Sequence, residues 1–192
     1  MRLSRPRIPP VEDSAATEEQ KALTERLRRG DAVPNIYRTL ANHPPAMRAF
    51  LSWGGYILGG GNTLPDRERE LAIVRVGWLC RAGYEWVAHV RIGKNAGLTD
   101  AEIERVKAGS SAAGWSDADR DILRAVEELH ADQFITDPTW AALAGRWSRE
   151  QRMDLVYTVA QYTQVCMILN SFGVQLDGGA KLDPETSRSW GL

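Results

Sequence analysis

The sequence has few cysteines and histidines, and neither charge sign is in excess. Its 192 residues include 2 cysteines and 3 histidines, and 24 basic side chains against 25 acidic ones give a formal net charge of −1. Because Cys80 and Cys166 are far apart, they show no disulfide framework. The balanced charge lacks the basic signature of a nucleic-acid-binding protein. Reduced thiols in a cytoplasmic protein are the simplest interpretation.

Long hydrophobic runs are also lacking. The most apolar stretches, at 71–80 and 155–174, are interrupted by polar side chains, so we expect neither to span a membrane. The basic segment 1–10 has neither the apolar core nor the cleavage site of a signal peptide. With 43% hydrophobic and 26% charged residues, the composition is that of a soluble globular protein, and we expect neither nucleic acid nor membrane among its partners.

Helix start and stop signals recur along the chain. Capping-box patterns begin at Thr17, Thr99 and Ser148, and the first of these helices is expected to end near Gly30. Other signals predict helices at about 34–43, with Pro34 at its first position, and at 47–57, 66–80, 84–95 and 116–130. A short helix is expected to begin at 137, and the helix that begins at Ser148 is expected to end at about 172. The helix at 66–80 is apolar on more than one face and should be buried on most sides. No strand-like alternation is found, so the predicted class is all-α.

The same signals divide the chain into one domain and two terminal segments. Residues 1–16 contain prolines and no periodicity, which indicates an extended N-terminal arm that packs on a neighbour. Residues 17–176 carry the helical pattern of a single domain. Residues 177–192 form a polar C-terminal tail that we expect to be loose.

Glu85 and His89 are the strongest candidates for chemistry. They lie four residues apart on one predicted helix, so their side chains share a face and can reach each other. Because both follow Gly83 closely, the positive end of the helix dipole favours an ionised Glu85 and a neutral His89. Such a pair can transfer a proton near neutral pH, but it is equally a common structural pair, and the spacing leaves both interpretations open.

Other polar and aromatic side chains are candidates for a substrate pocket. Tyr84 and Trp86 flank Glu85 and are either pocket walls or core aromatics. Gln161 lies on the last long helix, where it either faces a pocket or joins a hydrogen-bond network between helices. His130 ends a predicted helix, where its ring complements the negative end of the helix dipole, and it is also a candidate for the pocket lining.

Redox and metal chemistry have weaker signals. Cys80 invites a redox interpretation, whereas Cys166 lies in an apolar helix and resembles a small buried hydrophobe. The three histidines form no HxxxH or HxH pair, so we predict no metal site. No Walker loop and no GxGxxG motif is present, and we expect no cofactor.

The residues at 65–103 resemble the carboxymuconolactone decarboxylase and alkylhydroperoxidase D-like (AhpD-like) superfamily. The resemblance rests on the runs at 65–80, 84–91 and 95–103, and it extends more weakly over about 35–176. It implies an all-α AhpD-like helical bundle that assembles as a homo-oligomer, commonly a trimer or hexamer, with sites near the subunit contacts.

The resemblance also separates two branches of chemistry. The peroxidase branch carries Cys-x-x-Cys-x-x-x-His, whose cysteine positions are Ala82 and Glu85 here. The decarboxylase branch carries Glu-x-x-x-His, which Glu85 and His89 match. We therefore expect a cofactor-independent acid/base enzyme, a lyase, isomerase or lactone-processing enzyme, acting on a small carboxylate, lactone or carbonyl compound. The alternatives are a thiol peroxidase that uses Cys80 and a non-catalytic oligomeric ligand-binding protein on the same scaffold.

Overall fold

A computed structural model describes residues 1–192 and contains ten α-helices and no β-strand, as the sequence predicts. Three short 3₁₀ turns lie at Asp13–Ala15, Glu25–Leu27 and Asp177–Gly179. The helices are α1 (Glu18–Thr24), α2 (Asn35–Leu40), α3 (Pro44–Leu58), α4 (Asp66–Leu79), α5 (Gly83–Asn95), α6 (Asp100–Ala108), α7 (Asp117–Asp132), α8 (Asp137–Ala144), α9 (Arg149–Phe172) and α10 (Pro184–Ser189). None of them combines the length and the apolar composition needed to cross a bilayer.

The predicted capping boxes are confirmed. The side chains of Thr17, Thr99 and Ser148 each accept a hydrogen bond from the backbone N–H three residues later, and the glutamine or glutamate there reaches back to the cap. Each box satisfies two N–H groups that have no partner inside the helix. Local sequence alone therefore defines where α1, α6 and α9 begin.

Three predicted helix boundaries are wrong. The first helix ends at Thr24 and continues as a 3₁₀ turn, well before Gly30. Pro34 is the residue that precedes α2 and not its first residue. Pro44 and Pro45 open α3, whereas the prediction began that helix at residue 47. Proline fits a first turn because its missing N–H has no acceptor there in any helix.

Helix α4 is the centre of the molecule. It packs against α5, α7 and α9, and nine consecutive residues, 69–77, are buried, which confirms the expectation of a helix covered on most sides. Most of the core surrounds its junction with α7 and α9. A smaller cluster, which includes Trp86, Trp115 and Trp190, packs between α4, α5, α6 and the C-terminal segment. A polar side chain on α4 can therefore face an interior site.

The two terminal segments pack on their own chain. In the N-terminal arm, the N–H groups of Arg7 and Ile8 donate to the carbonyl of Phe172. The C-terminal tail forms α10, and Trp190 is only 4% exposed, with its ring against Trp78 and Trp86. The loose tail that the sequence suggested is not observed, because one large aromatic side chain buries enough apolar surface to hold a polar segment in place.

Candidate active site

A cavity of about 930 Å³ opens beside α5 and α9. Its lining residues come from five segments, 26–38, 48–58, 84–92, 161–165 and 177–178. This volume lies in the range of small-molecule binding sites, which is typically about 300–1,000 Å³. Glu85, His89 and Gln161 all belong to the lining, so the structure brings together three of the side chains that the sequence singled out.

The lining is rich in arginine. Its five guanidinium groups are those of Arg26, Arg29, Arg38, Arg48 and Arg91. Arg38 and Arg48 form ion pairs with glutamates of the first twenty residues, and the other three form no ion pair with a carboxylate. Guanidinium groups bind carboxylates and similar anions through charge-assisted hydrogen bonds. The cavity mouth therefore favours an anionic guest.

The imidazole of His89 lies between two buried carboxylates. Its Nδ1 is 2.7 Å from Oε2 of Glu70 on α4, and its Nε2 is 3.1 Å from Oε1 of Glu85, one turn earlier on α5. The contact with Glu70 has hydrogen-bond geometry, whereas the contact with Glu85 does not. The three side chains are between 1% and 6% exposed. Glu70 therefore fixes the ring, and Glu85 Oε1 is left without a hydrogen-bond partner.

Burial and mutual attraction shift the proton affinities of this group. Burial raises the pKa of the Glu85 carboxyl, and the charge of His89 only partly opposes it. Burial by itself would lower the pKa of His89, but the charge of Glu85 and the hydrogen bond to Glu70 outweigh it, so this pKa is raised. A neutral His89 beside an ionised Glu85, which the helix-dipole argument favoured, is therefore not the arrangement these shifts support. Both raised pKa values favour a proton on this pair of groups.

An aromatic ring and an amide of α9 complete the inner part of the site. The ring of Tyr162 meets His89 edge-on, with the ring centres 4.9 Å apart. Gln161 is 1% exposed, and neither its Oε1 nor its Nε2 has a hydrogen-bond partner. A buried amide without partners is costly to the free protein, so it is available to a guest that can satisfy it.

Sequence reasoning missed Glu70. Glu70 follows two other acids, Asp66 and Glu68, near the start of α4, where carboxylates commonly complement the positive end of the helix dipole, so its residue type gives no separate signal. In the structure it is 1% exposed and accepts the hydrogen bond of an imidazole nineteen residues away in the chain. The available signal is its position directly before the apolar run 71–74 of a helix that is apolar on more than one face, where an unpaired carboxylate would be costly.

Comparison with known proteins finds one matching family. Residues 44–128 match the model of the carboxymuconolactone decarboxylase family. This match supports the resemblance to the carboxymuconolactone decarboxylase and AhpD-like superfamily that the sequence motifs indicate. A search of curated proteins found no significant match.

Solved structures show that the fold of this superfamily extends over most of the chain. An uncharacterized peroxidase-related protein from Silicibacter sp. TM1040 is 17% identical, with a TM-score of 0.77 over 92% of this chain and 96% of that chain. An AhpD-core, peroxidase-related protein from Ralstonia eutropha is 22% identical, with a TM-score of 0.74 over 94% of both chains. A variant of the debrominase Bmp8 in complex with 2,3,4-tribromopyrrole is 14% identical, with a TM-score of 0.71 over 89% of this chain and 91% of that chain. At these identities the likeness shows the fold alone.

The superfamily's dithiol positions carry no sulfur here. Ala82 precedes α5 and is fully buried in the core, and Glu85 places a carboxylate beside His89. The cavity lining that the structure describes contains no cysteine. At these two positions the chain therefore has a buried methyl group and a carboxylate that contacts His89.

Tyr84 lies in the cavity lining, but its hydroxyl is engaged. It donates a 2.5 Å hydrogen bond to Asp177, which also accepts from the backbone N–H of Asn35. Burial and this bond raise the pKa of Tyr84 well above its usual value, so its hydroxyl stays protonated. Asp177 of the C-terminal segment therefore joins Tyr84 of α5 to the start of α2, and the Tyr84 ring forms part of the cavity wall.

The remaining candidates lie outside the cavity. Trp86 packs in the smaller core cluster against Trp78 and Trp190, which is the core alternative that the sequence left open. His130 faces Cys80, with 3.8 Å between its Nδ1 and the Cys80 Sγ. Neither His130 nor Cys80 belongs to the cavity lining that contains Glu85 and His89.

Proposed function

We propose that this protein is an acid/base enzyme that moves a proton on a small anionic substrate bound in the cavity. The observation that carries the proposal is the position of His89 between two buried carboxylates, one of which shares the cavity lining with it. A purely structural pair needs no solvent-connected cavity of this size beside it.

The contacts suggest a role for each group. If Nδ1 of His89 donates to Glu70, its Nε2 faces Glu85 Oε1, and two lone pairs at 3.1 Å would repel each other. One proton between Nε2 and Oε1 removes this repulsion. The Glu85–His89 pair is then the proton donor or acceptor for the substrate, and Glu70 is a positioning residue that holds the ring orientation.

The reaction class we favour is proton transfer at a carbon next to a carbonyl group, with decarboxylation as one form of it. When a carboxylate leaves as carbon dioxide, the electron pair of the broken carbon–carbon bond passes into the neighbouring carbonyl and forms an enolate. The proton held by Glu85 and His89 can then quench that carbon. An isomerase or a lactone-processing enzyme would use the same pair, first as base and then as acid.

The substrate class follows from the charges around the cavity. Arg26, Arg29 and Arg91 offer guanidinium groups without carboxylate partners, and Gln161 offers an unsatisfied amide deeper in the site. A small carboxylated lactone or oxo acid has a carboxylate that can bind the guanidinium groups and a carbonyl or hydroxyl that can hydrogen-bond with the amide of Gln161. The guanidinium groups and the amide bind and orient the substrate, and Glu85 and His89 transfer the proton.

The test compares two conservative variants with a control. His89→Gln and Glu85→Gln should lower turnover on a panel of small carboxylated lactones and oxo acids by about 10²–10⁴-fold, measured as carbon dioxide release and as deuterium uptake from solvent. His43→Asn is the control, because His43 is exposed and caps α3, and asparagine caps equally well. Folded variants that keep full turnover would contradict the proposal. Saturable binding with no turnover by the wild type would favour the non-catalytic alternative.

Assembly as a trimer or hexamer is a separate proposal. Five large apolar or aromatic side chains of α3 and α9 are at least 40% exposed, namely Tyr56, Leu58, Met153, Tyr157 and Met167. Light scattering coupled to size exclusion would measure the mass, and a monomer at micromolar concentration would contradict it. The cytoplasmic localisation stays a prediction.

A further inference from the structure

The amide of Gln161 is buried, lines the cavity and pairs with no other group of the chain. The residue is 1% exposed, and both its Oε1 and its Nε2 lack a hydrogen-bond partner. The lining residues around it are apolar: Val165 lies one turn later on α9, and Leu51 and Gly54 belong to α3. No protein group therefore replaces the water that this amide loses on folding. A guest in the cavity can supply both missing hydrogen bonds.

Gly54 leaves the amide accessible from the side of α3. A Cβ at this position would lie 3.9 Å from Nε2 of Gln161, at ordinary van der Waals distance, and a longer side chain would occupy the space beside the amide nitrogen. Glycine is less favourable than alanine inside a helix, so helix stability gives no reason for it here. The missing side chain instead keeps open the part of the cavity that borders the amide.

The chemistry of a primary amide defines the group that fits it. A glutamine side chain has a carbonyl acceptor and an NH₂ donor next to each other in one plane. Exchanging Oε1 with Nε2 leaves this pairing intact, so the argument holds for either orientation of the amide. The complementary guest has an N–H beside a C=O in one plane and forms two parallel hydrogen bonds. A small cyclic amide has this arrangement, because its ring holds the N–H and the C=O on the same edge.

The position of Gln161 places such an edge close to the reactive pair. Gln161 directly precedes Tyr162, whose ring packs edge-on against His89 with 4.9 Å between the ring centres. The guanidinium groups without carboxylate partners are exposed at the cavity mouth. A guest with a carboxylate and an amide edge therefore meets positive charge at the mouth and the buried amide inside.

We propose that the substrate is a carboxylated cyclic amide, and that Gln161 recognises its amide edge by accepting one hydrogen bond and donating another. This inference rests on the proposed function, because a carbon next to the carbonyl of a cyclic amide undergoes the same proton transfer as one in a lactone or an oxo acid. It narrows the substrate class, since a lactone or a ketone has no donor and leaves Oε1 of Gln161 unpaired. A buried group that stays unpaired discriminates against the analogue without the matching group.

The first experiment compares three ligands that differ in one ring position. Pyroglutamate is a small cyclic amide with a carboxylate; its lactone counterpart has a ring oxygen in place of the N–H, and its cyclopentanone counterpart has a CH₂ group there. Binding to the folded, full-length protein at neutral pH is measured by equilibrium dialysis, with mass spectrometry of the free ligand. We expect pyroglutamate to bind at least about tenfold more tightly than either counterpart. Equal affinities, or no saturable binding of pyroglutamate at millimolar concentration, would overturn the proposal.

Variants assign the discrimination to Gln161. Gln161→Leu removes both hydrogen-bonding atoms, so the ratio of affinities for pyroglutamate and its lactone counterpart should fall to about one. Gln164→Leu, at an exposed position of the same helix, should keep the wild-type ratio. A merely structural role of Gln161 would weaken all three ligands in parallel and preserve the ratio, which would contradict the proposal. Gly54→Leu should weaken all three, because its side chain occupies the space beside the amide, and wild-type affinity in this variant would overturn the role of Gly54.

Binding and turnover are separate readouts, so the two proposals fail separately. A wild-type protein that prefers pyroglutamate but converts no ligand supports the recognition by Gln161 and contradicts the acid/base proposal. Turnover of lactones or oxo acids without a preference for the cyclic amide does the reverse. Circular dichroism and the melting temperature show whether each variant is folded, and the comparison of the three ligands on the wild type needs no variant.

Discussion

Replacing Gln161 by leucine should stabilise the protein while damaging its site. The side chain is 1% exposed and both of its polar atoms lack hydrogen-bond partners, so the folded state carries a desolvation cost that the unfolded chain does not. A buried polar group without a partner costs about 1–3 kcal/mol. Leucine has a similar volume and no polar atom, so Gln161→Leu removes this cost without opening a cavity.

The size of the effect can be bounded. A volume-conserving swap in a packed interior usually costs less than about 1.5 kcal/mol through imperfect fit. Set against a relief of desolvation of about 2 kcal/mol, a cost near the middle of that range predicts a net gain of about 1 kcal/mol in the free energy of unfolding. In a chain of this size, each kcal/mol raises the melting temperature by about 2–4 °C. The gain should therefore be visible by calorimetry and by urea titration.

The assay compares three proteins at one protein concentration, because any assembly makes the apparent stability concentration-dependent. Urea unfolding should show a higher midpoint for Gln161→Leu with an unchanged slope. Gln164→Leu is the control, since Gln164 is exposed on the same helix, and we expect a change within about 0.5 kcal/mol. On an identified substrate, Gln161→Leu should weaken binding.

A loss of stability greater than about 1 kcal/mol relative to Gln164→Leu would refute this reasoning. Such a loss would mean that the amide of Gln161 has hydrogen-bond partners in the folded protein in solution. The amide would then be a structural element of the core, and its availability to a substrate would have to be abandoned.

Three other predictions concern the pH dependence of stability, the glycine at position 109 and the N-terminal cap of α9. The pKa values of Glu85 and His89 are raised on folding, so the folded state binds more protons than the unfolded state above the ordinary values of about 4.3 and 6.5. Stability should therefore fall as pH rises through these windows, and Glu85→Gln should flatten the fall in urea midpoints measured from pH 5 to pH 8. Gly109→Ala should cost more than about 2 kcal/mol in urea unfolding, because φ is +81° and an added Cβ would lie 2.3 Å from Nη2 of Arg75; a loss below about 1 kcal/mol would mean that Arg75 moves aside. Ser148→Ala should lower the melting temperature by the loss of about 1 kcal/mol, and Ser148→Asp, which retains a cap, should not.

Much of the helical frame was predictable from short-range signals. Capping at Thr17, Thr99 and Ser148 depends on residues three positions apart, so it is legible in the sequence without any tertiary information. The Glu85–His89 pair is equally local, because one helical turn brings the two side chains to one face. Even the burial of α4 follows from apolar side chains on every face.

Long-range pairings were not predictable in the same way. His130 could be placed at a helix end, but its position against Cys80 depends on how α7 crosses the end of α4. Trp190 was part of a segment with a polar composition, and its burial depends on a space that Trp78 and Trp86 leave open. Neither contact can be recognised from a spacing pattern. His130 lies 50 positions after Cys80, and Trp190 lies more than a hundred positions after Trp78 and Trp86.

The amino-acid sequence by itself determined an all-α chain, the starts of α1, α6 and α9, and the contact between Glu85 and His89, since all three arise from interactions within a few residues. Only the tertiary structure decided that Glu70 holds the other side of the His89 ring and that a cavity reaches this pair. These features depend on which faces of α4, α5 and α9 pack together. That choice is made by the burial of apolar surface over the whole core, which no local pattern records.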